Sequence, residues 1–169
     1  MIRVIGAAMV AVGGAWLGFQ GAEDLRSRVR TLRQMSAGLA VLERELELNG
    51  PPLVQLLNRS SEHSVGMTSA FFQSCAQGLE HLDREEFSSQ WRRRVEEFEA
   101  LGRQGQEILS PLGDVLGRYD VQQQRKGTQA VRCRLEELAD VLEKECRRQG
   151  RVCQALGISG GAFLVILLL

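Results

Sequence analysis

The sequence predicts an all-α protein: a helical bundle of about six helices, with long first and last helices extending into N- and C-terminal transmembrane segments. Three observations predict it. Prolines stand only at positions 51, 52 and 111, and the stretches between them are rich in Leu, Glu, Arg, Gln and Ala, which favour helix. No run alternates apolar and polar residues with the period of two that a half-buried strand needs. The two most apolar stretches, 4–19 and 154–169, carry no charged side chain, and every charged side chain except Arg3 lies between Glu23 and Arg151. The organisation that follows is a transmembrane segment over 1–22, a charged helical body over 23–150 and a second transmembrane segment over 151–169. The body is about the modal size of a domain.

The first segment reads V-I-G-A-A-M-V-A-V-G-G-A-W-L-G-F. Its 16 residues rise about 24 Å as a helix, short of a hydrocarbon layer of about 30 Å, so Ile2 and residues 20–22 complete the span. Trp16 and Phe19 stand toward the inner interface, where aromatic rings anchor. Gly14 and Gly18 form a G-x-x-x-G, and Gly157 and Gly161 repeat it in the second segment. That spacing lets another helix approach closely, although Gly and Ala are common in membrane helices whether or not they pair.

In the body, Leu25, Val29, Leu32, Met35, Leu39, Leu42 and Leu46 recur at steps of three and four, the stripe of an amphipathic helix. No proline separates this helix from the first apolar segment, so 2–48 reads as one helix of about 70 Å. Asn49-Gly50 stops it and Pro51-Pro52 opens a short helix over 52–58, with Leu53, Leu56 and Leu57 inward. Residues 59–64 are polar and read as a loop. A third helix covers 65–78, with Met67, Phe71 and Leu79 along one side. Ser88-Ser89 is placed to cap a helix that carries Trp91, Val95 and Phe98 and runs on through Leu101, Ile108 and Leu109 to Pro111. In 112–120, Gly117 has the character of a helix C′ residue and Asp120 that of the next N-cap. From Val121 onward no proline interrupts the chain, and Val131, Leu135, Leu138, Leu142 and Cys146 make the last stripe. Two long helices that both enter a membrane imply an antiparallel pair, unless one breaks at Gly21 or Gly150.

Little in the chain points to chemistry. Lys+Arg and Asp+Glu number 21 each, and such balance gives no reason to expect nucleic acid or an acidic partner. The cysteines, at 75, 133, 146 and 153, form no C-x-x-C pair and stand at no metal-ligand spacing from His63 or His81, so reduced, packed thiols are expected rather than a metal or redox site. No H-E-x-x-H, G-x-S-x-G, Walker A or G-x-G-x-x-G motif occurs. Ser61-Glu62-His63 sits in a polar stretch with no strand-to-helix turn to position a nucleophile. Arg92, Arg93 and Arg94, followed by Glu96, Glu97 and Glu99, read as an ion-paired helix face, with contact to lipid head groups or an acidic partner as the alternative. No enzyme, cofactor or metal is expected.

Positive charge sets the orientation. Arg26, Arg28, Arg30 and Arg33 follow the first apolar segment, and Lys144, Arg147, Arg148 and Arg151 precede the second. The positive-inside rule then places the body in the cytoplasm with both termini across the membrane. A cleaved signal peptide is the competing reading; Gln20 at the −3 position suits it poorly, and labelling of Cys75 by an impermeant reagent would support it.

Three local patterns carry a resemblance. The first is W-x-G-F at Trp16, Gly18 and Phe19. The second is the proline-led helix at Pro52-Leu53, followed by Phe71-Phe72 and a lone Trp91. The third is L-G-x-x-L-G-x-x-D-x-x-x-Q at Leu112, Gly113, Leu116, Gly117, Asp120 and Gln124. With the L-G at Leu156-Gly157 and the Leu-rich tail, the layout resembles the stage III sporulation protein AB family of endospore-forming bacteria over nearly its full length. The extra Pro51 departs from the family's pattern and bears only on where the second helix starts. The resemblance implies a non-enzymatic membrane component of the channel between mother cell and forespore. The family is similar to the inner-membrane platform protein of type II secretion. By that analogy the cytoplasmic body couples a secretion-type ATPase, stage III sporulation protein AA, to membrane subunits. A membrane-anchored helical sensor or regulator is the alternative of a different class.

Overall fold

The computed structural model describes the backbone of residues 2–48, 50–79, 86–118 and 120–168, and the side chains of 23–48, 50–79, 86–118, 120–148 and 150. Among these residues there is no strand. Seven α-helices follow one another: α1 (Ile2–Leu48), α2 (Leu53–Glu62), α3 (Gly66–Leu79), α4 (Phe87–Glu97), α5 (Gly102–Leu109), α6 (Leu112–Val115) and α7 (Val121–Leu168). A 3-10 turn, Glu99–Leu101, stands between α4 and α5. The chain divides into two units, Arg28–Asp140 and Met1–Ser27 with Val141–Leu169.

The first unit, the helical body, is built on a pair of antiparallel helices. Arg33 pairs with Asp140 at 2.9 Å, Arg132 with Glu43 at 3.1 Å and Arg125 with Glu47 at 3.0 Å. The partner's number falls as the position on α1 rises, so α1 and α7 run antiparallel in a fixed register. The Arg33–Asp140 and Arg125–Glu47 pairs are solvated and contribute little alone, while Arg132–Glu43 is part-buried. Their value here is to fix that register. Burial opposes the charge of Arg132, but hydrogen bonds from its guanidinium to Glu136 and Glu43 outweigh it and raise its pKa. Beneath these pairs, Leu32, Met35, Leu39 and Leu42 of α1 and Leu135 and Ala139 of α7 are wholly buried.

The α2–α3 hairpin packs across α1. Its turn needs Gly66, which has φ +60°, a region other residues rarely enter. Two reciprocal hydrogen bonds lock the hairpin: the Ser61 hydroxyl donates to the Ser69 carbonyl at 3.0 Å, and the Ser69 hydroxyl donates to the Ser61 carbonyl at 2.9 Å. A Cβ at Gly38 of α1 would lie 2.5 Å from the Phe72 ring and 2.8 Å from the Ser64 hydroxyl. The absent side chain is what lets the hairpin settle on α1.

Several expectations change. Residues 59–62 continue α2, because Ser60 is buried in the contact and Arg59 pairs with Glu45 of α1. Met67 is exposed, and Phe71, Phe72 and Cys75 form the inner face of α3. The helix expected from Ser88 to Pro111 is two helices. Phe98 leaves helical geometry with ψ 69°, and Gly102 takes φ +67°. The break lets Phe98 stack on Phe71, with centroids 5.4 Å apart and planes 15° from parallel. Ser88 is buried inside α4, which starts one residue earlier because Phe87 packs against Trp91 a turn later. On α7, Ala139 takes the core place expected of Leu138, since the buried face advances through 128, 131, 135 and 139 in helical steps. Neither Gly21 nor Gly150 breaks its helix.

Among the described residues no helix is long and apolar enough to cross a membrane. The side chains of both apolar terminal segments, with Gly14, Gly18, Gly157, Gly161 and Arg151, lie outside the described residues, as do His81 and Tyr119.

Candidate functional site

The motif from Leu112 to Gln124 forms the turn into α7, and the structure sets its first glycine, Gly113, against a buried indole. Trp91 of α4 is fully buried, and its Nε1 donates to the Leu109 carbonyl at 3.1 Å. Phe71 meets it edge-on at 5.1 Å and Phe87 from another side at 5.8 Å. Gly113 closes the remaining face. A Cβ there would stand 2.6, 2.7 and 2.8 Å from Trp91 Cδ1, Cγ and Cβ. Leu112 and Leu116, on either side of that glycine, are buried.

The chain then reverses. Gly117 has φ +77°, and its missing side chain leaves room for Leu53 at the start of α2. Asp120 caps α7: its Oδ1 accepts from the Gln123 backbone N–H at 2.7 Å, and its carbonyl accepts from the Gln124 N–H at 3.0 Å. The Gln124 carbonyl accepts the Thr128 hydroxyl at 2.9 Å, so a buried hydroxyl is satisfied within the first turns of the helix. Asp120→Ala is expected to lower stability by about 1 kcal/mol through the lost cap, with Asp120→Asn recovering most of it. Thermal melts of the two variants check this.

Two arginines of α4 reach beyond their own helix. Arg92 pairs with Asp114 of α6 at 2.5 Å, which ties α4 to the motif, in place of the acidic residues that follow it on α4. Arg94 reaches the other way, toward Gly78 and Cys75 of α3. Ser61 bonds across the hairpin to Ser69, and His63 Nδ1 meets the Arg59 carbonyl at 2.9 Å.

Cys75 is buried, and that burial pushes its thiol from the ordinary 9.0 up to about 12, against weaker opposing pulls from Arg94 and the Ser74 hydrogen bond. The neutral thiol is therefore inert at physiological pH. Its folded pKa lies above its unfolded one, so its contribution to stability is complete below about pH 9 and is lost as pH rises toward 12. Over that window it should remove up to about 1.4 kcal/mol per pH unit. Denaturant titrations from pH 8 to 11 should show a shallower alkaline decline for Cys75→Ala than for the parent. Cys133, by contrast, is exposed, and it replaces Cys75 as the accessible probe of topology.

The family model described as stage III sporulation protein AB matches residues 3–169. The chain belongs to the stage III sporulation protein AB family. Stage III sporulation protein AB of Bacillus subtilis (strain 168) is 25% identical over 174 residues, covering 100% of both chains. A solved structure of stage III sporulation protein AB, 22% identical, superposes with a TM-score of 0.63 over 72% of this chain and 97% of its own, which supports the fold. For this family member the basic flanks are distributed as follows. Arg26, Arg28 and Arg30 are exposed, Arg33 pairs with Asp140, Arg147 pairs with Glu143 at 2.6 Å, and Arg148 is exposed.

Sequence reasoning missed Gly38, Gly102 and Gly105, the last buried in α5 where a Cβ would stand 3.0 Å from Leu32 Cδ2. A signal was present for Gly38 and Gly105: a glycine inside a helix costs about 1 kcal/mol against alanine, and that cost asks for a packing reason.

Proposed function

We propose that the chain is a non-enzymatic membrane platform of the sporulation channel between mother cell and forespore. Its helical body faces the mother-cell cytoplasm and couples a secretion-type ATPase, stage III sporulation protein AA, to membrane subunits. Family membership supports the sporulation role. The observation that carries the platform reading is the antiparallel register of α1 and α7. Both helices leave the body at the same end, and each runs on in sequence into an uncharged apolar segment of 16 residues. A body that continues in sequence into two such segments is suited to bracing.

The test has two arms. In intact cells Cys133 should resist an impermeant maleimide and react after permeabilisation; reaction in intact cells would place the body outside. The full chain should retain stage III sporulation protein AA on co-purification, and removal of residues 1–22 and 151–169 together should release the chain from membranes and reduce that retention. Membrane residence without any ATPase retention would instead favour a membrane-anchored sensor or regulator.

A further inference from the structure

We infer that the outer face of α3 is a self-association surface, on which a second copy of this chain docks within the same membrane. The inference rests on the proposed membrane anchoring and adds to it a contact between platform copies. The observation is an exposed stripe without charge. From His63 to Leu79 the sequence holds no Asp, Glu, Lys or Arg, although such residues make up 25% of the chain. Burial explains one side only: Phe71, Phe72 and Cys75 face the core. Met67, Ala70, Gln73 and Gln77 are exposed, with Ser74 half-buried among them. Steps of three and four set all five on the opposite side of the helix. Met67 is 55% exposed, and Val65, at the turn that leads into α3, is 61% exposed.

The lack of charge says what covers the face. Two copies anchored in one membrane are related by an axis along its normal, and an isologous contact then sets residues near that axis against their own copies. A charge placed there would meet its own sign. Uncharged side chains carry no such penalty, and a glutamine amide is both donor and acceptor, so Gln73 and Gln77 can each pair with their own copies. Ser74 brings no free hydroxyl to the contact, because its Oγ donates to the Phe71 carbonyl at 2.8 Å. The small Ala70, near the middle of the stripe, lets the two helices approach. A charged partner, by contrast, would bury groups that nothing on this face pairs. The charges stand at the rim. Glu62 is exposed beside the turn, Arg59 of α2 is held by Glu45, and Arg94 of α4 borders the last turn, with Nη2 3.5 Å from the position of a Cβ on Gly78. A charge-poor, Met-bearing centre inside a charged rim is the usual make-up of an interface. The 14 residues of α3 rise only about 21 Å, and one face of such a helix covers far less than the roughly 800 Å² per partner of a stable complex. The contact is therefore weak between free bodies and forms when anchoring confines both copies to one surface.

The experiment uses the full chain in liposomes, with Cys133 and Cys153 changed to Ser. Cys75 and Cys146 are buried and stay. One new cysteine is placed on α3 by Ala70→Cys or, as an exposed control on α7, by Gln129→Cys. Oxidation by copper phenanthroline should give at least fivefold more disulfide-linked homodimer from position 70 than from position 129. Adding Gln73→Glu or Gln73→Lys to Ala70→Cys should lower that yield at least threefold, because each charge then meets its own sign. An equal mixture of the two charged chains should recover at least half of the uncharged yield. Gln73 is exposed, so both substitutions should leave the melting curve unchanged. Equal yields at 70 and 129, or no recovery in the mixture, in a chain that co-floats with lipid would overturn the inference alone. In cell membranes, an adduct of position 70 with a different protein and no homodimer would give the face to that protein and overturn it as well. Failure to co-float with lipid would overturn the membrane anchoring, and the inference with it.

Discussion

Trp91→Ala should destabilise the helical body by about 3–5 kcal/mol, the largest effect of any single truncation in this chain. The side chain is wholly buried, and three neighbours depend on it. Phe71 and Phe87 pack against the ring, with centroids 5.1 and 5.8 Å away. The Leu109 carbonyl loses the indole N–H as its donor and stays close to the apolar core, a penalty beyond the lost apolar area. The cavity cannot collapse easily, because Gly113 on its far side has no side chain to move into it. Phe71 is also stacked on Phe98 and edge-on to Phe72, so the damage should spread to the break between α4 and α5. Urea unfolding of the full chain in detergent, followed by circular dichroism, measures the loss. Trp91→Phe should cost less, since it keeps most of the ring and removes the hydrogen bond. A loss below about 1 kcal/mol for Trp91→Ala would mean that the indole is not the centre of this core.

Much of the architecture could be read from residues alone, and the reasons are local. The spacing of Leu32, Met35, Leu39 and Leu42 dictated a buried stripe, and all four are fully buried. The absence of proline after 111 allowed α7 to run unbroken from Val121. What escaped was set by contacts distant in sequence. Phe98 is as good a helix residue as Val95 by pattern, yet it leaves the helix because Phe71, on another element, offers a ring to stack on. Residues 59–62 are polar enough for a loop, but Ser60 is buried and Arg59 meets Glu45 across the helix interface, so tertiary contacts extend α2. Arg92 had carboxylates on its own helix face and pairs with Asp114, 22 positions away. Intrinsic propensity is a weak prior in such places, and packing overrides it. The motif itself was visible as a pattern. Its physical meaning required Trp91, because nothing in the spacing of two glycines says which side chain presses on the first.

That pressure gives the second large effect. Gly113→Ala should destabilise the protein by about 3 kcal/mol, although in an ordinary helix the same change is favourable by up to about 1 kcal/mol. The added methyl would overlap Trp91 Cδ1, Cγ and Cβ, all within 2.8 Å. Of these, Trp91 Cβ is fixed to the backbone of α4, so a rotamer change cannot relieve the clash, and α6 must move away from α4 instead. Movement of α6 strains the Arg92–Asp114 pair and the turn at Gly117, where Leu53 already lies 3.1 Å from the position of a Cβ. Gly150→Ala is the control: its Cβ meets nothing within 4 Å, and the variant should be unchanged or slightly more stable. The decisive measurement is the double variant. If the glycine exists to admit the indole, Trp91→Ala removes the overlaps with Cδ1 and Cγ and leaves only the one with Cβ, which alanine keeps. The combined loss should then fall short of the sum of the two single losses by about 1–3 kcal/mol. Simple additivity would assign Gly113 to a backbone role independent of Trp91. A double variant that recovers stability yet no longer co-purifies with stage III sporulation protein AA, the partner proposed above, would instead point to the surface of this turn as its contact.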